Sequence, residues 1–245
     1  MQRNPRTIAE DLGIAPALKA VHHRVAPTAR RNRTDNHNLE LLLAFVLRPD
    51  SACIDIGAHT GDVLRQIVRH APLGDHIAFE PLPHLHAPLV AEFPTVDVRC
   101  AALSEKAGTS EFTHVVSRPA YSGLKMRLPE AKEEIQTIEV TVERLDDVIP
   151  PGYRPDLVKI DVEGAEYHAL LGGLEMLTAA RPYVVFEFGA KSAAHYGTTP
   201  DDMYSLLTEG VGLRIYDFDG AGPYSRSAFQ TAYETGSRFN FVAHV

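Results

Sequence analysis

The sequence predicts an α/β fold, a mostly parallel twisted sheet with helices on both faces. Three observations carry that prediction. Short apolar runs of strand length recur between helical patterns. The first run ends in a turn with spaced glycines, Gly57-Ala58-His59-Thr60-Gly61, and four of the runs carry acids at or near their C-terminal ends. Strand and helix in alternation with short connections call for parallel pairing and right-handed crossovers.

In chain order, residues 38–47 read as a short apolar helix stopped by Pro49. A βαβαβ unit follows: strands at 52–56, 76–80 and 96–103, with helices at 60–70 and 84–92 between them. Residues 109–116 and 136–142 alternate apolar and polar positions as strands of an insertion or edge hairpin, around a polar loop at Tyr121-Ser122-Gly123. The rhythm then resumes with a strand at 156–162, a helix at 165–171, a strand at 181–188 and a helix at 200–209. Strands at 213–218 and 239–244 close the chain as antiparallel or edge strands. Residues 192–199 and 220–236 read as loops, natural places for substrate contacts.

At 245 residues, 44% hydrophobic and 23% charged, the chain can bury the core of one large domain, or of one domain with a small appendage. Charge marks a boundary. Residues 1–35 hold seven Lys/Arg against three Asp/Glu, and residues 36–245 hold seventeen against twenty-nine, so a basic arm precedes an acidic domain. Arg30-Arg31-Asn32-Arg33 lacks the interleaved aromatic residues that stack on nucleic-acid bases, and the acidic domain repels a phosphate backbone. The arm is therefore read as a solvated lead-in, and nucleic acid is not the expected partner. The run 39–47 is too short to cross a bilayer, and the arginine-bearing N-terminus has no apolar signal region, so a cytoplasmic enzyme without membrane contact is expected. Cys53 and Cys100 fall on strands expected to lie one strand apart, roughly 10 Å, beyond disulfide reach, and are expected as two buried thiols.

The acids are Asp55 in "ACIDIG", Glu80 in "HIAFEP", Asp161 and Glu163 in "LVKIDVEG", and Glu187 in "YVVFEF". In an open parallel sheet a ligand binds outside the carboxyl ends of the strands, so these acids should converge on one cleft. Glu80 stands 25 residues after Asp55, where an acid accepts hydrogen bonds from a ribose diol. The three residues between Gly57 and Gly61 do not make a dinucleotide fingerprint, and no Lys-Ser/Thr follows as in a phosphate loop. A cationic, phosphate-free adenosine cofactor fits better, and S-adenosylmethionine is one.

"IDIGAHTG", "IAFEP", "CAALSEKAG", "LVKIDVEGAEYHALLGG" and "YVVFEF", in this order and spacing, resemble the FkbM family of S-adenosylmethionine-dependent methyltransferases over about residues 50–190. The resemblance implies the Rossmann-like class I methyltransferase fold. It also implies cofactor contacts from Asp55, Gly57 and Gly61 of the glycine loop and from Glu80 at the ribose. His59 and Cys100 stand where the family often has Asn, and Cys100-Ala101 open the stretch beside the adenine. Ser122 falls where the family often has a serine near the cofactor.

The expected activity is O-methylation of a hydroxyl on a small molecule, a sugar or a natural product. Asp161, Glu163, Glu187 and His195 are the candidates to orient the acceptor and take its proton, with Asp161 also reaching the cofactor. In a variant of this mechanism Asp161 and Glu187 share a Mg²⁺ that acidifies the hydroxyl. The alternative is a catalytically inactive S-adenosylmethionine-binding or regulatory protein of the same fold. A homodimer is left open.

Overall fold

The computed structural model describes residues 15–115, 123–124 and 135–245. These residues fall into two compact units that part between Leu42 and Leu43. Helix α1, Ala15–Val46, makes up the described part of the first unit and runs into the second. The helix expected at 38–47 is thus the end of a 32-residue helix. Its earlier turns mix polar residues, basic residues and prolines without an apolar stripe, so periodicity gives no sign of them.

The second unit carries the alternation. In order come β1 (Cys53–Ile56), α2 (Asp62–His70), β2 (His76–Phe79), α3 (Pro83–Glu92), β3 (Asp97–Arg99) and β4 (Ala102–Leu103). Then follow β5 (Gly108–Val115), β6 (Ile135–Glu143), α4 (Leu145–Val148), β7 (Leu157–Ile160), α5 (Glu166–Leu171), α6 (Leu174–Ala180) and β8 (Tyr183–Glu187). The chain closes with α7 (Ala190–Ala193), a 3-10 turn (Ala194–Tyr196), α8 (Pro200–Tyr204), a widened π turn (Ser205–Gly210), β9 (Arg214–Asp217), α9 (Arg226–Thr235) and β10 (Asn240–His244).

Seven strands form one sheet in the order β3-β2-β1-β7-β8-β10-β9. The five from β3 to β8 are parallel, and β10 runs antiparallel to both neighbours, with β9 at the edge as expected. The order reverses direction at β1, where β2 lies on one side and β7 on the other. That is the switch point at which a crevice opens in such sheets.

One expected strand is two. Residues 96–103 split into β3, which pairs with β2, and β4, which pairs with β6 in a separate three-stranded sheet of order β4-β6-β5. Ala101, Ala102 and Leu103 are all buried, so the two-residue alternation of a strand stops after Arg99 as the chain passes between sheets. The expected hairpin of 109–116 and 136–142 forms the rest of this small sheet, β5 antiparallel to β6.

Residues 220–236 correct the loop reading more fully, because they contain α9. Ser225 caps it by accepting a hydrogen bond from the Ala228 amide, Gly236 ends it in the left-handed region, and Phe229 and Ala232 face the core. Residues 192–199 likewise hold the end of α7 and the 3-10 turn.

Candidate active site

Register builds the carboxyl edge of the large sheet. Ile56 lies level with Phe79 and with Ile160, and Ile160 lies level with Phe186. The next residue on each of these strands therefore stands in one row: Gly57, Glu80, Asp161 and Glu187. Side chains alternate between faces. The four level residues point into the main core, and their successors leave from the opposite side.

A cleft opens over this row. Gly57, His59, Glu80, Ala101, Asp161 and Glu163, all expected from sequence, line it. Phe79, Leu82, Ala102, Leu103, Phe112 and Leu124 make one side apolar, which suits a flat heterocycle. The small sheet thus contributes the residues that cover the cleft on the β2 side.

The other expected site residues stand elsewhere. Asp55 is fully buried behind the cleft, because register sets it beside Lys159 on β7, whose ammonium lies 3.0 Å from its Oδ1. Gly61 begins α2, where a Cβ would meet Leu89 and Phe93 at 2.8 and 2.9 Å, so it serves the packing of α3. Cys100 is exposed, not buried, because it falls in the step between sheets; Cys53 is buried, and both thiols are free. Glu187 is exposed at the end of β8, level with Asp161 but one strand farther from the switch point, and does not line the cleft. His195 sits in the 3-10 turn, also outside the cleft walls. Ser122 lies outside the described residues. A divalent ion shared by Asp161 and Glu187 gains no support, since Asp161 lines the cleft and Glu187 does not.

Gly57 has a local cause that differs from the expected one. Its φ is +78°, and a Cβ there would lie 2.1 Å from the Asp161 carbonyl oxygen. The close approach it permits is that of the β7 end, before any ligand. The Gly57 and Ala58 amides both donate to the Phe79 carbonyl, at 2.9 and 3.0 Å, which ties the turn to β2.

Glu80 clamps two loops. Its Oε2 accepts from the His59 amide at 2.8 Å and its Oε1 from the Leu82 amide at 3.0 Å. Each carboxylate oxygen keeps a further lone pair for a ligand hydroxyl. Burial pushes the Glu80 carboxyl above its ordinary range, against the pull of the Leu82 and His59 amides and of the His59 and Lys159 charges. His59, at φ 49°, lines the cleft with its Nε2 buried and without a hydrogen-bond partner among the described residues.

Two residues escape sequence reasoning. Lys159 lines the cleft and donates from Nζ to the Gly57 carbonyl at 2.7 Å. Glu166, in the first turn of α5, turns its buried carboxyl back on the preceding loop, where Oε1 accepts from the Val162 and Gly164 amides at 3.0 and 3.1 Å. That loop needs the help: Glu163 has φ 56° and Gly164 φ 108°, and a Cβ on Gly164 would lie 2.4 Å from the Ser192 carbonyl. Burial pushes the Glu166 carboxyl up to about 7, although the two amides lower it. Its signal in the sequence is an acid in a first turn, which reads equally as a helix-dipole partner.

With the geometry in place, comparison with known proteins gives the following. The profile of the methyltransferase FkbM domain matches residues 55–215. Among curated proteins none matches significantly. The fold is similar to that of a methyltransferase FkbM from Methylobacillus flagellatus, with TM-score 0.51 and 14% identity over 81% of this chain and 44% of that one. This chain therefore spans less than half of that protein's length. It is also similar, at TM-score 0.46 and 15% identity, to a TehB-like SAM-dependent methyltransferase from Corynebacterium glutamicum, over 93% of this chain and 98% of that one.

Proposed function

Because the chain belongs to the FkbM family of S-adenosylmethionine-dependent methyltransferases, we propose that it methylates a hydroxyl oxygen of a small molecule, a sugar or a natural product. The observation that carries the reading is the division of the cleft into two ends. Glu80 and the apolar wall lie toward β2, and two carboxylates, Asp161 and Glu163, lie toward β7.

The residues present fit the cofactor. Glu80 has acceptor capacity left for a ribose diol, His59 Nε2 is an orphaned polar atom in the wall, and the wall of Leu82, Ala101, Ala102 and Phe112 suits an adenine. S-adenosylmethionine supplies a methyl group on a positively charged sulfur. Acids at the β7 end attract that charge and leave room for an acceptor beside it.

The chain's own task is then alignment and proton removal. Transfer to oxygen needs the hydroxyl held in line with the methyl and its proton taken as the bond forms. Asp161 is the candidate to do both. Its backbone is fixed at the strand end by the bond from its amide to the Ile56 carbonyl (3.1 Å), and its side chain is exposed to the cleft. Glu163 is held on the loop that Glu166 braces. Three acids expected from the sequence, Glu80, Asp161 and Glu163, line the cleft, which favours an enzyme over an inactive binding protein.

The test is Asp161→Asn with methyl transfer from labelled S-adenosylmethionine measured on the true acceptor. Turnover should fall by about a hundredfold, the range of general-base loss, while affinity for S-adenosylhomocysteine changes by less than about threefold. Turnover within about threefold of wild type would assign Asp161 to capping or loop geometry, where Asn serves equally well. Methyl found on carbon or nitrogen of the product would overturn O-methylation.

A further inference from the structure

The lining of the cleft has a charge that its function must answer. Among the described lining residues stand four acids, Asp62, Glu80, Asp161 and Glu163, against a single lysine or arginine, Lys159. The cofactor proposed for this cleft carries a sulfonium and an ammonium, which the acids suit, and also a carboxylate at its amino-acid end, which they repel. Adenosine at the Glu80 end directs that amino-acid end toward β7, the strand that carries Lys159.

Lys159 is unusually placed for a lysine. It is buried in mid-strand, with 9% of its side chain accessible, yet it lines the cleft. Three hydrogens leave its nitrogen. One donates to the Gly57 carbonyl at 2.7 Å, and one faces Asp55 Oδ1 at 3.0 Å. Asp55, its neighbour across the strands, is buried, and neither of its oxygens has a hydrogen bond of good geometry among the described residues, so the ammonium serves it as an ion-pair partner. Burial alone would weaken the proton's hold on Lys159. The carboxylates of Asp55 and Asp161 outweigh it and keep the ammonium more basic than an ordinary lysine.

We propose that the third donor of Lys159 binds the carboxylate of the cofactor's amino-acid end, so that Lys159 is the residue by which the cleft tells S-adenosylmethionine from adenosine compounds without that carboxylate. The proposal rests on the cofactor reading above. Asp55 holds the ammonium charged and Gly57 O aims it. The same lysine thus fixes the glycine turn and reads the ligand that the turn receives.

The experiment is calorimetry with two probes, S-adenosylhomocysteine and its decarboxylated analogue, on wild type, Lys159→Met and the double variant Asp55→Asn/Lys159→Met. Removing Lys159 alone leaves a buried, uncompensated carboxylate and can unfold the chain; the double variant removes that charge and keeps the test available. Wild type should bind S-adenosylhomocysteine at least about tenfold more tightly than the analogue, as a charge-assisted hydrogen bond implies. The variants should lose that preference and bind the two probes within about threefold of each other, since any loosening of the glycine turn weakens both alike. A wild type that does not discriminate, or folded variants that keep the wild-type preference, would overturn the assignment and leave Lys159 a structural ion-pair partner. If wild type bound neither probe, the cofactor reading itself would fall, and the inference with it.

Discussion

Glu80 clamps two loops with the same carboxylate that is proposed to receive the ribose. Its two oxygens hold the His59 and Leu82 amides, so Glu80→Ala removes both clamps along with the acceptors for a ribose diol. Affinity for S-adenosylhomocysteine should fall by about 1–3 kcal/mol, measured by calorimetry on a variant confirmed folded by its thermal transition. An unchanged dissociation constant would remove Glu80 from the cofactor site. Gly57 makes a different prediction from the one its sequence context suggests. Since a Cβ would strike the Asp161 carbonyl and φ is +78°, Gly57→Ala should destabilise the fold itself, by at least about 1–3 kcal/mol in urea unfolding. A variant as stable as wild type that failed to bind cofactor would show the glycine answering to the ligand alone. The place of Glu80 at the cleft was legible because it ends the second strand, 25 residues after Asp55, where an acid can face a ribose diol. Lys159 was not: a lysine inside "LVKID" gains meaning only through its register with Asp55 on β1, which no local pattern contains. Asp55 was misplaced for the same reason, since its partner one strand away draws it behind the cleft.

The loop from Asp161 to Ala165 depends on α5. Glu166 reaches back from the first turn and satisfies the Val162 and Gly164 amides, while the left-handed Glu163 and Gly164 turn the chain under Ser192. With a folded value near 7 against an ordinary 4.5, the native state holds a proton that the unfolded chain releases between those values. The stability this gives is complete below pH 4.5 and is lost as pH rises through 7. Relative to Glu166→Gln, wild type should lose about 3 kcal/mol of unfolding free energy over that interval and nothing further above it. Chemical denaturation of both proteins at several pH values measures the difference, and parallel pH profiles would show that Glu166 is not protonated in the fold. The elements flanking this loop divide by how they announce themselves. The parallel strands were legible as apolar runs between turns. Helix α9 was missed because its core contacts, Phe229 and Ala232, make too narrow a stripe to stand out from its polar sequence, although Ser225 and Gly236 frame it as caps. Helix α6 was missed because it follows α5 after only Gly172 and Gly173, which read as the end of one helix and not as a joint between two.

At the level of the whole chain, the alternation of strands and helices sufficed to foresee a parallel sheet with its acids at one edge. The strand order, with β1 between β2 and β7, is what turns that edge into a cleft. The small sheet was legible only as a hairpin; that β4 leaves the main sheet to join it depends on pairing with β6, some forty residues distant. This transfer brings Ala102, Leu103 and Phe112 over the cleft and closes its apolar side. Among the described residues no helix is long and apolar enough to cross a membrane. Whether one cleft holds the cofactor between Glu80 and the end of β7 is decided by a crystal structure of the protein with S-adenosylhomocysteine. Both ribose hydroxyls should lie within hydrogen-bond range of the Glu80 carboxylate, about 2.5–3.0 Å, with the adenine against Leu82, Ala101 and Phe112 and the sulfur turned toward Asp161. A ligand bound elsewhere, or one whose ribose leaves Glu80 engaged with His59 and Leu82 alone, would contradict that placement.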